Sequence, residues 1–194
     1  MFECVKCGYK NEHCARRCEI CSWPFSKDAW PSTNLKIKKI SIDTGCVNAK
    51  RANADLNTLE SWASMGRIEI QRSDAFMEEL KGHDRVIKAK EIPSHPPLFK
   101  FGDTLGGDGV LSGPDLSQYV HKVLFPTTRN LTPNQKNDIR HLSQHIKVGG
   151  DIFVTLNTND FIKHGKQATF AERGIWVFTP TDAVHLLRQL YSWE

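Results

Sequence analysis

Two C-x2-C pairs near the N-terminus constrain this chain more than any other feature: Cys4 with Cys7, then Cys18 with Cys21. Each pair can turn round one side of a Zn²⁺ ion and offer two thiolates. Four thiolates suit a borderline-soft ion that imposes no geometry of its own. A site closed by four sulfurs keeps no position for substrate, so the expectation is a structural zinc with Cys4, Cys7, Cys18 and Cys21 as its ligands. So short a segment has too little apolar interior to fold alone, and the metal must supply the folding free energy. Five of the six cysteines lie in this segment, which fits metal ligation in a reducing compartment better than a disulfide framework. Cys14 is the alternative to Cys18 as a ligand. Cys46 stands apart and reads as a small packed residue.

The cysteine module occupies residues 1–26, and residues 27–35 read as a linker around Pro31. The remainder, 36–194, is long enough for one ordinary domain. A formal charge of +4 permits a nucleic-acid partner without requiring one. No apolar run approaches the roughly 20 residues needed to span a bilayer, and Met1 leads straight into cysteines without a basic-then-apolar leader. A cytoplasmic protein without a membrane association is therefore expected, with a homodimer left open.

From Lys36 onward, short apolar strands alternate with helical periodicity. Ile37, Ile40 and Ile42 mark a strand ending at Asp43. Leu56, Leu59, Trp62 and Ala63 recur at helical spacing and stop at Gly66. Ile68–Ile70 is a second strand, and Ser73 and Asp74 are placed to cap a short helix through Leu80. Ile139, Leu142 and Ile146 mark one helical face. Ile152–Leu156 and Ile175–Phe178 are buried strands, and Thr181 with Asp182 is placed to cap a last helix. Residues 83–130, rich in Pro and Gly, read as loop. Strands separated by helices imply parallel pairing, hence a three-layer α/β/α fold with a mainly parallel sheet.

In such sheets the functional crevice lies beyond the carboxyl ends of the strands. Asp43 sits there directly after the first strand, and Asn157-Thr-Asn159-Asp160 follows the third. Glu79 lies in the short helix and Asp138 at the edge of an apolar helical stripe. His141 and His145 share the face of Asp138 and read as exposed helix histidines. Asp151, at the opposite strand end, reads as structural.

The order Ile-Asp43-Thr44, Glu79-Leu-Lys-Gly, Asn-Asp138-Ile-Arg-His-Leu142, Asp151-Ile-Phe-Val-Thr155 leading to Asp160-Phe161, then Gly174-Ile-Trp-Val, resembles the PIN domain over about residues 36–191. That family is a metal-dependent nuclease fold that includes toxin ribonucleases and RNA-processing endonucleases. The resemblance implies that Asp43, Glu79 and Asp138 belong to an acidic cluster. In the family's fourth position stands Asn157. Either Asp160 supplies the missing carboxylate or the site has three acids. Thr44 and Thr155 are candidate partners of the carboxylates or of metal waters. Crowded carboxylates repel one another, and Mg²⁺ or Mn²⁺ relieves that repulsion through hard oxygen ligands, with Asp43 and Asp138 the foremost candidates to hold it. The expected activity is endonucleolytic hydrolysis of single-stranded RNA. The alternative is a non-catalytic RNA- or protein-binding adaptor on a degraded nuclease fold.

The spacing Cys4-x2-Cys7-x3-Asn11-x6-Cys18-x2-Cys21, preceded by Phe2, resembles the Ran-binding-protein type of zinc finger. The resemblance implies single-stranded RNA or ubiquitin as ligand. RNA-binding members carry Trp after the Asn and then an Arg pair, whereas here Glu12 follows Asn11 and Arg16-Arg17 come two residues late. Ubiquitin-binding members have Thr-Phe where this chain has Gly8-Tyr9. Tyr9, Asn11, Arg16, Arg17 and Trp23 are the candidate RNA- or partner-binding residues, and a folding staple or protein-docking knob is the alternative.

Overall fold

The structure is a computed structural model. It describes residues 2–3, 10–11, 37, 39–49, 53–73, 75–80, 92–94 and 114–193. Near the N-terminus, β1 (Phe2–Glu3) pairs antiparallel with β2 (Lys10–Asn11), Phe2 facing Asn11. The four zinc-ligand candidates lie outside the described residues. So do Cys14, Tyr9, Arg16, Arg17, Trp23, the side chain of Asn11 and the boundaries at 26 and 35.

The main body is an α/β fold on a four-stranded sheet in the order β4-β3-β5-β6. Its strands are β3 (Lys39–Ile42), β4 (Glu69–Arg72), β5 (Ile152–Val154) and β6 (Val177–Phe178), and every pairing is parallel. Around it run α1 (Thr44–Ala49), α2 (Ala54–Ser64), α3 (Ala75–Glu79), α4 (Pro114–Leu124), α5 (Pro133–Lys147), α6 (Thr158–Phe161), α7 (Lys166–Ala171) and α8 (Pro180–Tyr191).

Successive strand residues point to opposite faces, and the core divides accordingly. Ile40, Ile42, Ile152 and Val154 pack with Leu59 and Trp62 of α2 and Leu187 of α8. Phe153 and Val177 instead join Leu116 and Val120 of α4, Leu142 of α5 and Phe170 of α7. Helices thus cover both faces, an arrangement compatible with three layers. None of the described helices is long and apolar enough to cross a membrane.

Two local expectations need correction. Residues 114–124 are helical rather than loop. Leu116, Val120 and Leu124 recur every fourth residue and are buried, but a stripe of three turns is easily lost among the Pro and Gly before it. The last helix is capped by Thr179, whose hydroxyl accepts from the Asp182 N–H at 3.1 Å. Pro180 suits the first helical position because it has no N–H to leave unpaired, which moves the cap in front of it. Thr181 instead donates its hydroxyl to Asp55 at 2.6 Å.

Elsewhere the caps follow local chemistry. Asn53 Oδ1 accepts from the Leu56 N–H at 3.0 Å to start α2. Thr132 and Gln135 form a reciprocal capping box that starts α5. Asp151 accepts the Lys39 N–H at 2.8 Å at the amino end of the sheet, away from the crevice.

His145 is buried, with its Nδ1 2.8 Å from Ser41 Oγ and its ring against Phe153 at 5.6 Å. A Cβ on Gly150 would fall inside van der Waals contact of that ring. Because the ring is pinned on both sides, Gly150→Ala is expected to destabilise the fold by about 1–3 kcal/mol, the usual cost of overpacking. Urea unfolding checks this, and a wild-type midpoint would show that the ring can yield.

Candidate active-site cavity

From β3 the chain crosses to β4 on one side, whereas β5 and β6 lie on the other. The carboxyl ends of β3 and β5 therefore flank the point where the strand order reverses, the usual position of a binding crevice in open parallel sheets. Asp43 leaves β3 there and Thr155 leaves β5. The Asp43 N–H donates to Val154 O at 3.1 Å, which ties the two strand ends together.

Asp43 is buried. One carboxylate oxygen accepts from the Cys46 N–H at 3.0 Å, and the other accepts from the Thr155 hydroxyl. Burial pushes the carboxyl above its ordinary value, while the Thr155 and Cys46 hydrogen bonds offset part of the rise. Thr155 Oγ1 also accepts the Asn157 N–H at 2.9 Å, so the Thr is fixed from both ends. Burial, then the adjacent Asp43 charge, pushes the Cys46 thiol well up. A thiol held protonated is no nucleophile, which agrees with a packing role.

Glu79 reaches the same place from α3. Its Oε2 accepts from the Thr44 hydroxyl and lies 3.1 Å from His141 Nε2. Burial raises its pKa, but the bonds from His141 and Thr44 outweigh burial and hold the carboxyl below its ordinary value. His141 is 1% exposed, not a surface histidine, and its Nδ1 meets Ser73 Oγ. A carboxylate only accepts, so Nε2 carries a proton, and in the neutral ring Ser73 donates to Nδ1.

His141→Leu is expected to raise the Glu79 carboxyl pKa and leave the buried Ser73 hydroxyl without this partner, at a cost of about 1–3 kcal/mol. His141→Gln retains an N–H donor and should keep Glu79 near wild type. A ¹³C titration of the Glu79 side chain reads the difference, and identical curves in both variants would refute the linkage.

Asp138 faces the cavity from the second turn of α5. Burial, then the charges of Asp160, Asp43 and Glu79, pushes its carboxyl up to about 8. Asn157 lies between the acids. Its side-chain N–H₂ donates to Asp160 Oδ2 at 2.9 Å and to Asp138 Oδ2 at 3.4 Å. Its Oδ1 accepts the Asp160 N–H at 3.3 Å and so caps α6.

The cavity measures about 680 Å³ and is lined by Asp43, Glu79, Asp138 and Asp160, with Thr44, Gly45, His141, Asn157 and the first turn of α5 completing the wall. All four acids proposed from sequence therefore meet in one cavity. The residues sequence reading missed are Ser73, which supports His141, and the Thr132–Gln135 turn. The capping-box pattern was a signal for the second but none existed for the first.

The donor set is hard oxygen, and burial together with three neighbouring carboxylates raises Asp138, so the chemistry fits a divalent cation such as Mg²⁺ or Mn²⁺. The carboxylates are not already gathered about one point: among the described residues no three or more His, Cys, Asp or Glu stand where they could hold an ion. No protein-family model, curated protein or solved structure matches the chain.

Proposed function

We propose that this chain is a Mg²⁺- or Mn²⁺-dependent endoribonuclease acting on single-stranded RNA, built on a PIN-like three-layer α/β/α domain. The observation that carries the reading is the convergence of Asp43, Glu79, Asp138 and Asp160 on one cavity at the reversal of strand order. Asp43, Asp138 and Asp160 would hold the ion, with Glu79 beside them. When bound, such an ion supplies positive charge at the scissile phosphodiester and activates water.

The chain's own residues prepare the site. Thr155 aims Asp43, and Thr44 with His141 keeps Glu79 ionised. Asn157 holds Asp160 toward Asp138. The first turn of α5 carries no acidic residue and turns the positive end of a helix dipole to the cavity, which favours a phosphate.

In the same proposal residues 1–26 form a Cys4 zinc finger that binds RNA or a protein partner. Its support is the cysteine spacing together with the antiparallel pairing of β1 and β2 about the first pair.

A second reading, a non-catalytic RNA- or protein-binding adaptor, is favoured by one feature: Asn157 supplies an amide where the resemblance has an acid. Incubation of the purified chain with Mn²⁺ and an end-labelled single-stranded RNA separates the two. The nuclease reading expects internal cuts that depend on the ion. Intact RNA, with no thermal stabilisation by Mn²⁺, selects the adaptor.

A further inference from the structure

A second concavity lies on the other side of α5. It measures about 500 Å³ and sits between α4 and α5. Leu131 and the buried Ile139 give it an apolar floor, and His121, Lys136 and Arg140 stand along it. The His121 ring is held in place by its Nε2, 3.1 Å from Thr128 O.

None of the described residues lining this groove is acidic, in contrast to the carboxylate-lined cavity. Lys136 and Arg140 are exposed and four residues apart on one helix. Their side chains therefore leave neighbouring turns, with Cβ atoms about 5–6 Å apart. That separation is comparable with the distance between successive phosphates in an extended single strand. The linings of the two concavities adjoin in sequence at the start of α5: Thr132–Gln135 line the acidic cavity, and Leu131 and Lys136, immediately on either side, line the groove.

We propose that this groove binds the nucleotides of a single-stranded RNA adjoining those at the acidic cavity, Lys136 and Arg140 pairing with phosphates and the Leu131–Ile139 floor receiving a base. The inference rests on the nuclease reading for its occupant. Two features choose the occupant: the described charged side chains beside the apolar floor, Lys136 and Arg140, are both cations, which suits a polyanion, and the residues lining the groove adjoin in sequence those lining the cavity at the start of α5. Residues two positions apart on a helix lie about 200° apart. Lys136 and Asp138 therefore occupy opposite faces, and changing one leaves the other's surroundings intact.

The test uses the full chain, a fluorescein-labelled single-stranded oligoribonucleotide and no added divalent ion, with binding read by anisotropy at several salt concentrations. The double variant Lys136→Glu/Arg140→Glu is expected to bind on the order of tenfold more weakly. Its log–log salt slope should be shallower by about 1.4, as for two lost contacts to a single strand. The charge-preserving pair Lys136→Arg/Arg140→Lys should bind as wild type.

Equal affinity and slope in the reversed variant overturn the proposal. They are also the outcome expected if the groove instead receives an acidic protein segment. A parallel cleavage assay of the wild-type chain with Mn²⁺ keeps the two readings apart. Cleavage together with unaffected binding removes the groove and retains the nuclease. Weakened binding without any wild-type cleavage retains the groove as an RNA site and removes the nuclease.

Discussion

Asp43→Asn is expected to lower Mn²⁺-dependent RNA cleavage by at least about a hundredfold, since losing even an outer partner of a metal ligand costs up to that much. The substitution keeps an oxygen for the Cys46 N–H and removes a charge that burial disfavours. It also turns an amide N–H₂ toward Thr155, whose hydroxyl has until then donated to the carboxylate. The fold should therefore survive with a modest change in Tm. The Mn²⁺ response should not survive: a wild-type chain at a hundred times the dissociation constant gains about 2.7 kcal/mol, and the variant should gain little. Asp43→Ala is the harsher change, because it leaves both the Cys46 N–H and the Thr155 hydroxyl without this partner. A folded Asp43→Asn protein that cuts at the wild-type rate would remove Asp43 from the site.

The second large effect is on stability against pH. Asp138 keeps its proton in the folded chain up to about pH 8, while the unfolded chain releases it near about pH 3.9. Between these values the folded state binds more protons than the unfolded state. The unfolding free energy must then fall as pH rises, by up to about 1.4 kcal/mol per pH unit. The groups facing Asp138 are Asp43 at the end of β3, Glu79 in α3, Asp160 in α6 and, one turn along α5, His141. Asp43, also raised, contributes with the same sign. Glu79, held low, has the opposite sign: its contribution is lost as pH falls through its folded value, at the acid end of the range.

Urea unfolding at pH 5, 6.5 and 8 without added divalent ion should therefore show declining stability. Asp138→Asn should flatten the decline and be the more stable protein at pH 8. Histidines common to both proteins cancel in that comparison. Mn²⁺ should restore wild-type stability most at pH 8, where the carboxylates are least protonated. A variant profile parallel to wild type would refute the assignment to Asp138.

Much of this site was legible in the residues. Asp43 was placed by the strand that ends on it, and Asp138 by its position beside Ile139 on an apolar stripe. Both signals are local, so periodicity carries them. The histidines were not legible in the same way. His141 and His145 lie on the face of Asp138, yet the partners that bury them, Ser73 and Ser41, are 68 and 104 residues away in sequence. No helical pattern distinguishes a histidine met by a distant hydroxyl from one met by water. Asn157 read as an acid missing from its place. In the folded chain its amide donates to Asp138 and Asp160 together, a role that needs both positions to be known.

By itself, the sequence determined the kind of sheet and the composition of its edge. Short apolar strands separated by helices favour parallel pairing, and a carboxylate directly after a strand must emerge at its carboxyl end. The neighbours came from tertiary structure alone. An apolar pattern states which side chains are buried, but not that β3 lies between β4 and β5. That order sets the reversal point between Asp43 and Thr155. Ionisation followed from it, because a charge depends on burial and on the distance to other charges. Only the packed chain buries Asp138 and brings Asp160, Asp43 and Glu79 close enough to help hold a proton on it.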